Sequence, residues 1–166
     1  DNLAGGQLAG EFLADQLEPG DTVAVLEGVA GAPSLQDRVD GFVEGLGDDF
    51  EIVASLPTDC AQTKGLDAAQ DILTANPDVT AIYGACGPPI IGALEAIASA
   101  SKTIKVVGFD AGPDEVAAIV AGDDDVVPQL RAAGDADLRD DDAVGADLNV
   151  VADLDEVVDL AALADP

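Results

Sequence analysis

Apolar and polar residues along the first 122 positions follow a repeated pattern, in which a short apolar run precedes an amphipathic segment. The apolar runs do not alternate with polar residues, which is typical of strands buried on both faces. They predict strands at 22–26, 50–56, 79–83, 104–109 and 125–128. The amphipathic segments have apolar residues at helical spacing, and they predict helices at 3–17, 34–46, 63–74, 88–100 and 113–122.

Residues at the ends of these segments mark where helices start and stop. Ser34 is expected to cap the second helix, and Gly47 to end it. Pro113 suits the first position of the fifth helix. Repeated strand–helix units of this kind predict an α/β fold, a doubly wound, Rossmann-like parallel sheet between two layers of helices, in a three-layer αβα arrangement.

The chain changes character after residue 130. Residues 131–166 form an acidic tail, in which apolar residues predict a crossover strand at 148–151 and a terminal helix at 154–163. Compact domains rarely contain a long stretch without regular structure, such as the one predicted at 131–147. We therefore expect the tail to be poorly ordered or to lack its packing partner.

Charge changes this picture by excluding several function classes. The chain has 34 Asp and Glu against 6 Lys and Arg, a net charge of -28, which argues against nucleic-acid binding by this chain alone. It has no His, so His-based catalysis and His–metal sites are excluded. At this net charge the carboxylates repel one another and oppose a compact fold. Strong brine would screen that repulsion, so the composition predicts a halophilic protein. The alternative is an ordinary acidic protein, which would use more Glu and Lys.

Two charged residues fall where the carboxyl ends of parallel strands meet, which is where such sheets bind ligands. Arg38 lies one turn into the helix after the first strand, and Asp110 follows the fourth. Arg38 is either a clamp on a ligand or a surface residue paired with a distant Asp. Asp110 either accepts hydrogen bonds from a ligand or caps the turn or helix after it.

Two cysteines, Cys60 and Cys86, follow the second and third strands. An oxidising location would permit a disulfide between them. Burial of both as small apolar residues is the interpretation that the residue type favours. Two cysteines do not make a zinc site, and no cofactor fingerprint is found, so no metal, no cofactor and no enzymatic activity are predicted.

Four stretches between residues 1 and 122 form a collinear set: DNLAGG at 1–6; LEGVAG at 26–31 with Arg38 and GF at 41–42; KGL at 64–66 with NPDV at 76–79; and VVGFD at 106–110 with Pro113. Together they resemble the C-terminal lobe of periplasmic-type sugar-binding proteins of ABC importers, the ribose-binding group in particular. The same fold with similar strand-end residues is found in the effector-sensing domain of sugar-responsive transcription repressors of the lac repressor type, which is the alternative.

The resemblance implies a two-lobed receptor that closes on a monosaccharide, a pentose or hexose, and delivers it to ABC permease subunits. It implies that residues 1–130 are one lobe, that the N-terminal lobe is absent before Asp1, and that the receptor is extracytoplasmic and anchored at the cell surface. With the acidic composition, it implies a haloarchaeal source. One lobe alone is expected to bind sugar at millimolar concentration or undetectably.

The resemblance also assigns the site residue by residue. Arg38 and Asp110 would hydrogen-bond the sugar, and Gln129 matches the family's crossover glutamine. Cys60 stands where the ribose-binding group has an aromatic residue that packs on the sugar. Cys86 stands where that group has Asn. These two differences leave the class of sugar open.

Overall fold

The computed structural model describes residues 1–110, 112–120 and 126–128. In this part of the chain the helices are α1 Asn2–Gln16, α2 Pro33–Leu46, α3 Gln62–Ala75, α4 Gly87–Ala100 and α5 Pro113–Val120. The strands are β1 Thr22–Glu27, β2 Glu51–Pro57, β3 Ala81–Gly84, β4 Lys105–Gly108 and β5 Val126–Pro128. Each element predicted before residue 129 is present, with bounds within two residues of the prediction. The tail at 131–166, with its predicted strand and helix, lies outside the described residues.

The strands form one parallel sheet in the order β2-β1-β3-β4-β5. From β1 the chain passes to β2 on one side of it. It then forms β3, β4 and β5 in succession on the other side of β1. This reversal makes the sheet doubly wound, as predicted. In such sheets a crevice opens at the carboxyl ends of the strands, where the winding direction reverses. Here that point lies between β1 and β3.

Each face of the sheet has its own core. Val23 and Val25 of β1 pack with residues of α1 and α2 on one face. Ala24 and Leu26 pack with residues of α3 and α4 on the other face. The central residues of the inner strands are buried on both faces of the sheet, which is why these strands read as apolar runs. The three-layer prediction is confirmed.

Helices α1 and α2 approach each other closely through glycines. A Cβ atom placed on Gly6 would lie 2.2 Å from the carbonyl oxygen of Arg38, and one on Gly41 would lie 2.0 Å from the carbonyl oxygen of Leu3. Since real Cβ atoms do not make such contacts, only glycine permits this spacing. The contact brings the first turn of α1 beside Arg38, at the edge of the sheet where the strands end.

The ends of α2 correct one prediction and confirm another. The predicted cap at Ser34 is wrong: Ala32 precedes the helix, no side chain caps it, and Pro33 is its first residue. Proline suits this position because its φ angle is already helical and it has no N–H to leave unpaired. Gly47 ends α2 with a φ of 76°, as predicted. Pro113 is the first residue of α5, also as predicted.

Candidate ligand-binding site

The loops after β1, β2, β3 and β4 meet at one edge of the sheet, which we call the rim. Backbone hydrogen bonds hold each loop against the neighbouring strand end. The Thr58 amide donates to the Glu27 carbonyl at 3.0 Å, and the Ala85 amide to the Leu26 carbonyl at 3.0 Å. The Thr58 hydroxyl donates to the same Glu27 carbonyl at 2.5 Å. The rim therefore continues the register of the sheet into the loops.

Arg38 lies at the centre of the polar part of the rim. Its side chain is only 17% exposed, and its guanidinium carbon lies 3.9 Å from the centroid of the Phe109 ring. One Nη1 hydrogen bond, of 2.9 Å, goes to the carbonyl of Ala85, the first residue after β3. Stacking on an aromatic ring and bonding to a buried carbonyl fix the guanidinium plane, so this cation is part of a built site.

Asp110 is the acidic partner of Arg38. Nη1 of Arg38 lies 3.3 Å from each carboxylate oxygen of Asp110. The Asp110 side chain is 47% exposed, so water screens the pair and its contribution to stability is about 0–1 kcal/mol. Arg38 therefore pairs with a distant Asp, and this Asp is itself a predicted ligand-binding residue. The two interpretations of Arg38 are thus compatible.

Asn2 is a rim residue that the sequence analysis missed as a candidate. Its side-chain oxygen accepts a 2.9 Å hydrogen bond from Nε of Arg38. Asn2 begins α1, before the first strand, so the rule about strand ends does not select it. The available signal was the glycine spacing of the two helices, at 6 and 10 in α1 and at 41 and 45 in α2, which permits the close contact that brings Asn2 to Arg38.

Tyr83 supports the site from beneath. Its hydroxyl donates a 3.2 Å hydrogen bond to the backbone carbonyl of Arg38, and its ring stacks on Phe42 with centroids 3.9 Å apart. Burial raises the pKa of Tyr83 well above its usual range; nearby Asp110 raises it further, and Arg38 opposes the shift. The phenol therefore stays neutral at physiological pH and acts as a structural donor.

Cys60 and Cys86 form a disulfide, with Cα atoms 5.8 Å apart. The favoured interpretation, burial of two separate thiols, is therefore wrong. It failed because the sequence does not show that the loops after β2 and β3 come within bonding distance above the end of β1, which lies between these strands. The bond joins the two loops covalently across the rim.

The polar part of the rim is suited to binding neighbouring hydroxyl groups. A guanidinium offers five N–H donors in a fixed fork, whereas a carboxylate only accepts. Within the described part of the chain, the hydrogen bonds of Arg38 use Nε and Nη1, which leaves Nη2 for a ligand. A hydroxyl group both donates and accepts, so a pair of adjacent hydroxyls can bridge Arg38 and the half-exposed Asp110.

The five predicted site residues have different outcomes. Arg38 and Asp110 are in contact, and Cys60 and Cys86 are bonded to each other, all at the rim. Gln129 lies outside the described residues.

Among the residues that the structure describes, no group of His, Cys, Asp and Glu could hold a metal ion. No helix in the described ranges is long and apolar enough to cross a membrane.

Comparison with protein families places this rim in a known context. The family model described as "Periplasmic binding protein domain" matches residues 1–149. The match covers well over half of the chain and includes every element that carries a rim residue.

Individual relatives are similar over 74% of this chain. The chain is 38% identical to the ribose import binding protein RbsB of Haemophilus influenzae, over 74% of this chain and 42% of that protein. It is 38% identical to the D-allose-binding periplasmic protein of Escherichia coli, over 74% of this chain and 41% of that protein. A solved ABC transporter periplasmic solute binding protein from Actinobacillus succinogenes, with bound D-allose, matches with a TM-score of 0.70 and 31% identity, over 74% of this chain and 44% of that one. The chain thus spans less than half the length of these relatives.

Proposed function

This chain belongs to the periplasmic binding protein domain family, and from that membership we propose that it is a sugar-binding lobe of the substrate-binding receptor of an ABC importer. The ligand is a monosaccharide, a pentose or hexose, bound at the carboxyl ends of the strands. The observation that carries the proposal is the contact of Arg38 with Asp110 at this edge, on the aromatic ring of Phe109. The chain is a binding protein rather than an enzyme.

Each rim residue has a role in this proposal. Arg38 donates hydrogen bonds from Nη2 to sugar hydroxyls, and Asp110 accepts from them. Gln129 adds a further polar contact. The Cys60–Cys86 disulfide lines the same edge and places two sulfur atoms where the ribose-binding group has an aromatic ring and an amide. This substitution supports a sugar other than ordinary ribose.

We further propose that residues 1–130 are one lobe of a two-lobed receptor, whose partners are a second lobe and ABC permease subunits. The similarity to a ribose import binding protein and to a D-allose-binding periplasmic protein supports this and an extracytoplasmic location at the cell surface. The disulfide favours the receptor over a cytoplasmic repressor, because disulfides persist in oxidising compartments.

High-salt adaptation is a separate proposal that rests on composition. With a net charge of -28, repulsion among carboxylates opposes the folded state in dilute buffer. Salt at molar concentration reduces the Debye length to about 3 Å and screens that repulsion. Circular dichroism at increasing KCl should show structure increasing with salt, whereas a fully stable fold in dilute buffer would contradict the proposal.

The test of sugar binding is an NMR titration of this chain with D-ribose and with D-allose, recording the backbone amide and Arg38 guanidinium signals. We expect weak binding, with a dissociation constant of about 1 mM or higher, because a single lobe covers only one side of a sugar. The shifts should be confined to the rim and should be strongly reduced in Arg38→Ala, with weak residual binding.

Lys64→Ala is the matched control for that variant. It also removes one positive charge at the rim, but Lys64 is 55% exposed and pairs with Asp59. It should therefore bind as the wild type does. Sugar-induced shifts centred away from the rim, or equal loss of the rim shifts in both variants, would overturn the proposed function.

A further inference from the structure

The disulfide crosses the rim above the central strand of the site. Strand β1 lies between β2 and β3, and Cys60 and Cys86 belong to the loops after those two outer neighbours. The bond therefore joins two loops that the sheet itself does not pair directly. Cys86 is 4% exposed, so the link is packed into the rim rather than lying on its surface.

One end of this link is directly connected to Arg38. Ala85, the residue before Cys86, is fully buried, and its carbonyl accepts the 2.9 Å hydrogen bond from Nη1 of Arg38. Adjacent residues share a rigid peptide plane, so the position of Cys86 limits the position of this carbonyl. Any movement of the loop after β3 changes the acceptor that orients the guanidinium.

The other end of the link is anchored but locally strained. Thr58 is fully buried and bonded to Glu27, which fixes the start of the loop after β2. Asp59 and Cys60 then both adopt left-handed φ angles, of 51° and 53°. This conformation is uncommon for residues other than glycine and needs support from surrounding structure. The exposed ion pair of Asp59 with Lys64 gives little support. A 3.0 Å hydrogen bond from the Ala61 amide to the Thr58 carbonyl closes this turn, and the disulfide adds a covalent restraint at Cys60.

We propose that the Cys60–Cys86 disulfide is a positioning element for Arg38. It holds the Ala85 carbonyl in place, and through that carbonyl it fixes the guanidinium orientation that a ligand meets. The effect on ligand affinity rests on the proposed sugar-binding function; the effect on Arg38 does not. Reduction of the disulfide frees the Cys86 end of the loop after β3, so the Ala85 carbonyl is held less firmly and the guanidinium loses one of the restraints on its orientation.

The first test observes Arg38 directly, without ligand. Dithiothreitol supplies two electrons and two protons, so that the disulfide becomes two thiols while the reagent closes to its own cyclic disulfide. We expect the Arg38 Nε–H signal to shift and its exchange with water to accelerate. An Nε–H signal that is unchanged by reduction, in a chain that remains folded, would overturn the proposal.

Two controls accompany this test. Cys60→Ser/Cys86→Ser should show the altered signal with or without dithiothreitol, whereas Lys64→Ala should respond to dithiothreitol as the wild type does. If reduction unfolds the chain, Cys60→Ala/Cys86→Val replaces the bond by an apolar contact and provides the folded comparison. An Nε–H signal in that variant identical to that of the oxidised wild type would equally overturn the proposal.

The second test uses D-ribose and D-allose as probes in a double-mutant cycle. We expect loss of the disulfide to weaken binding by about tenfold in the wild type, equivalent to about 1.4 kcal/mol. In the Arg38→Ala background the same loss should change residual binding little, because the effect passes through Arg38. An undiminished tenfold effect in that background would show that the disulfide acts independently and would overturn the proposal.

Failure of the proposed function is distinguishable from failure of this inference. If the sugars shift signals away from the rim, sugar binding at the rim is wrong, and the ligand-free Arg38 signal alone decides whether the disulfide positions Arg38.

Discussion

The two halves of the rim are built by different means. The Arg38 half contains Asn2, Arg38 and Asp110 and is held by hydrogen bonds, an ion pair and ring stacking. The disulfide half contains Cys60 and Cys86 and is held by a covalent bond. The Arg38 half can exchange its hydrogen-bond partners for the hydroxyls of a ligand, whereas the disulfide half keeps its geometry. In this rim, therefore, the residues proposed to bind the ligand are different from those that keep the loops rigid.

The free-energy contributions of the two halves support this difference in their roles. The half-exposed Arg38–Asp110 pair is worth about 0–1 kcal/mol, so a ligand can rearrange it at small cost. The disulfide closes a loop with a sequence separation of 26, for which the chain-entropy model gives about 3 kcal/mol. The disulfide half should therefore dominate the stability of the rim, and the Arg38 half its binding.

The largest expected effect is on the disulfide half. Cys60→Ser/Cys86→Ser should lower the free energy of unfolding by about 3 kcal/mol, because the unfolded chain regains the entropy of the open loop. Urea denaturation measures the difference. Dithiothreitol should lower the midpoint of the wild type and leave that of the variant unchanged; equal midpoints for oxidised and reduced wild type would contradict the prediction.

The next effect concerns the helix contact beneath the Arg38 half. Gly41→Ala should cost about 2 kcal/mol, because the new Cβ would lie 2.0 Å from the Leu3 carbonyl and force α1 and α2 apart. The Arg38 Nε–H signal should also move as Asn2 recedes. Glu44→Ala, an exposed change on the same helix, should stay within about 0.5 kcal/mol of the wild type in urea denaturation. Similar losses in the two variants would contradict the close-contact explanation.

Alkaline pH should weaken the support beneath Arg38 progressively. The pKa of Tyr83 is higher in the folded state than in the unfolded state, so its contribution is fully present below a pH of about 10. It is lost as pH rises above that value, by up to about 1.4 kcal/mol per pH unit. Because Tyr83 is the single tyrosine, tyrosinate absorbance reports it alone. Absorbance and loss of helical circular dichroism should rise together; tyrosinate formed in a native fold would contradict this.

The smallest effect on stability is expected at Asp110. Asp110→Asn removes a screened ion pair and should change the free energy of unfolding by less than about 1 kcal/mol in urea denaturation. The same change should strongly reduce the sugar-induced NMR shifts, because a carboxylate acceptor is lost. A large loss of stability with unaltered shifts would make Asp110 a structural residue and would reverse the division of roles between the two halves.

The sequence predicted the sheet, and the position of Arg38 and Asp110 at one edge of it, for the same reason. Unbroken apolar runs indicate parallel strands, and parallel strands bring their carboxyl ends together, so residues 72 positions apart could be expected to meet. Asn2 was missed because its contact with Arg38 depends on the close packing of two helices. The disulfide was permitted but not favoured, because pairing depends on a Cα distance that no local pattern encodes.

Local chemistry explains the remaining difference. Ser34 has the residue type of a helix cap, but Pro33 already fixes the first helical turn, so the hydroxyl is not needed. The position of α2 was therefore predictable from the spacing of its apolar residues. Its first residue was not, because both Pro33 and Ser34 suit the start of a helix. The rim shows the same limit, since the positions of Arg38 and Asp110 were predicted, but the contact with Asn2 and the Cys60–Cys86 bond were not.

The most direct test of the binding site is the titration of this chain with D-ribose and D-allose, followed through the Arg38 guanidinium and rim amide signals. The predicted result is concentration-dependent shifts at Asp110 and Cys86 that are strongly reduced in Arg38→Ala and retained in Lys64→Ala. Shifts centred elsewhere on the described surface, or rim shifts of equal size in Arg38→Ala, would contradict the assignment of the rim as the sugar-binding site.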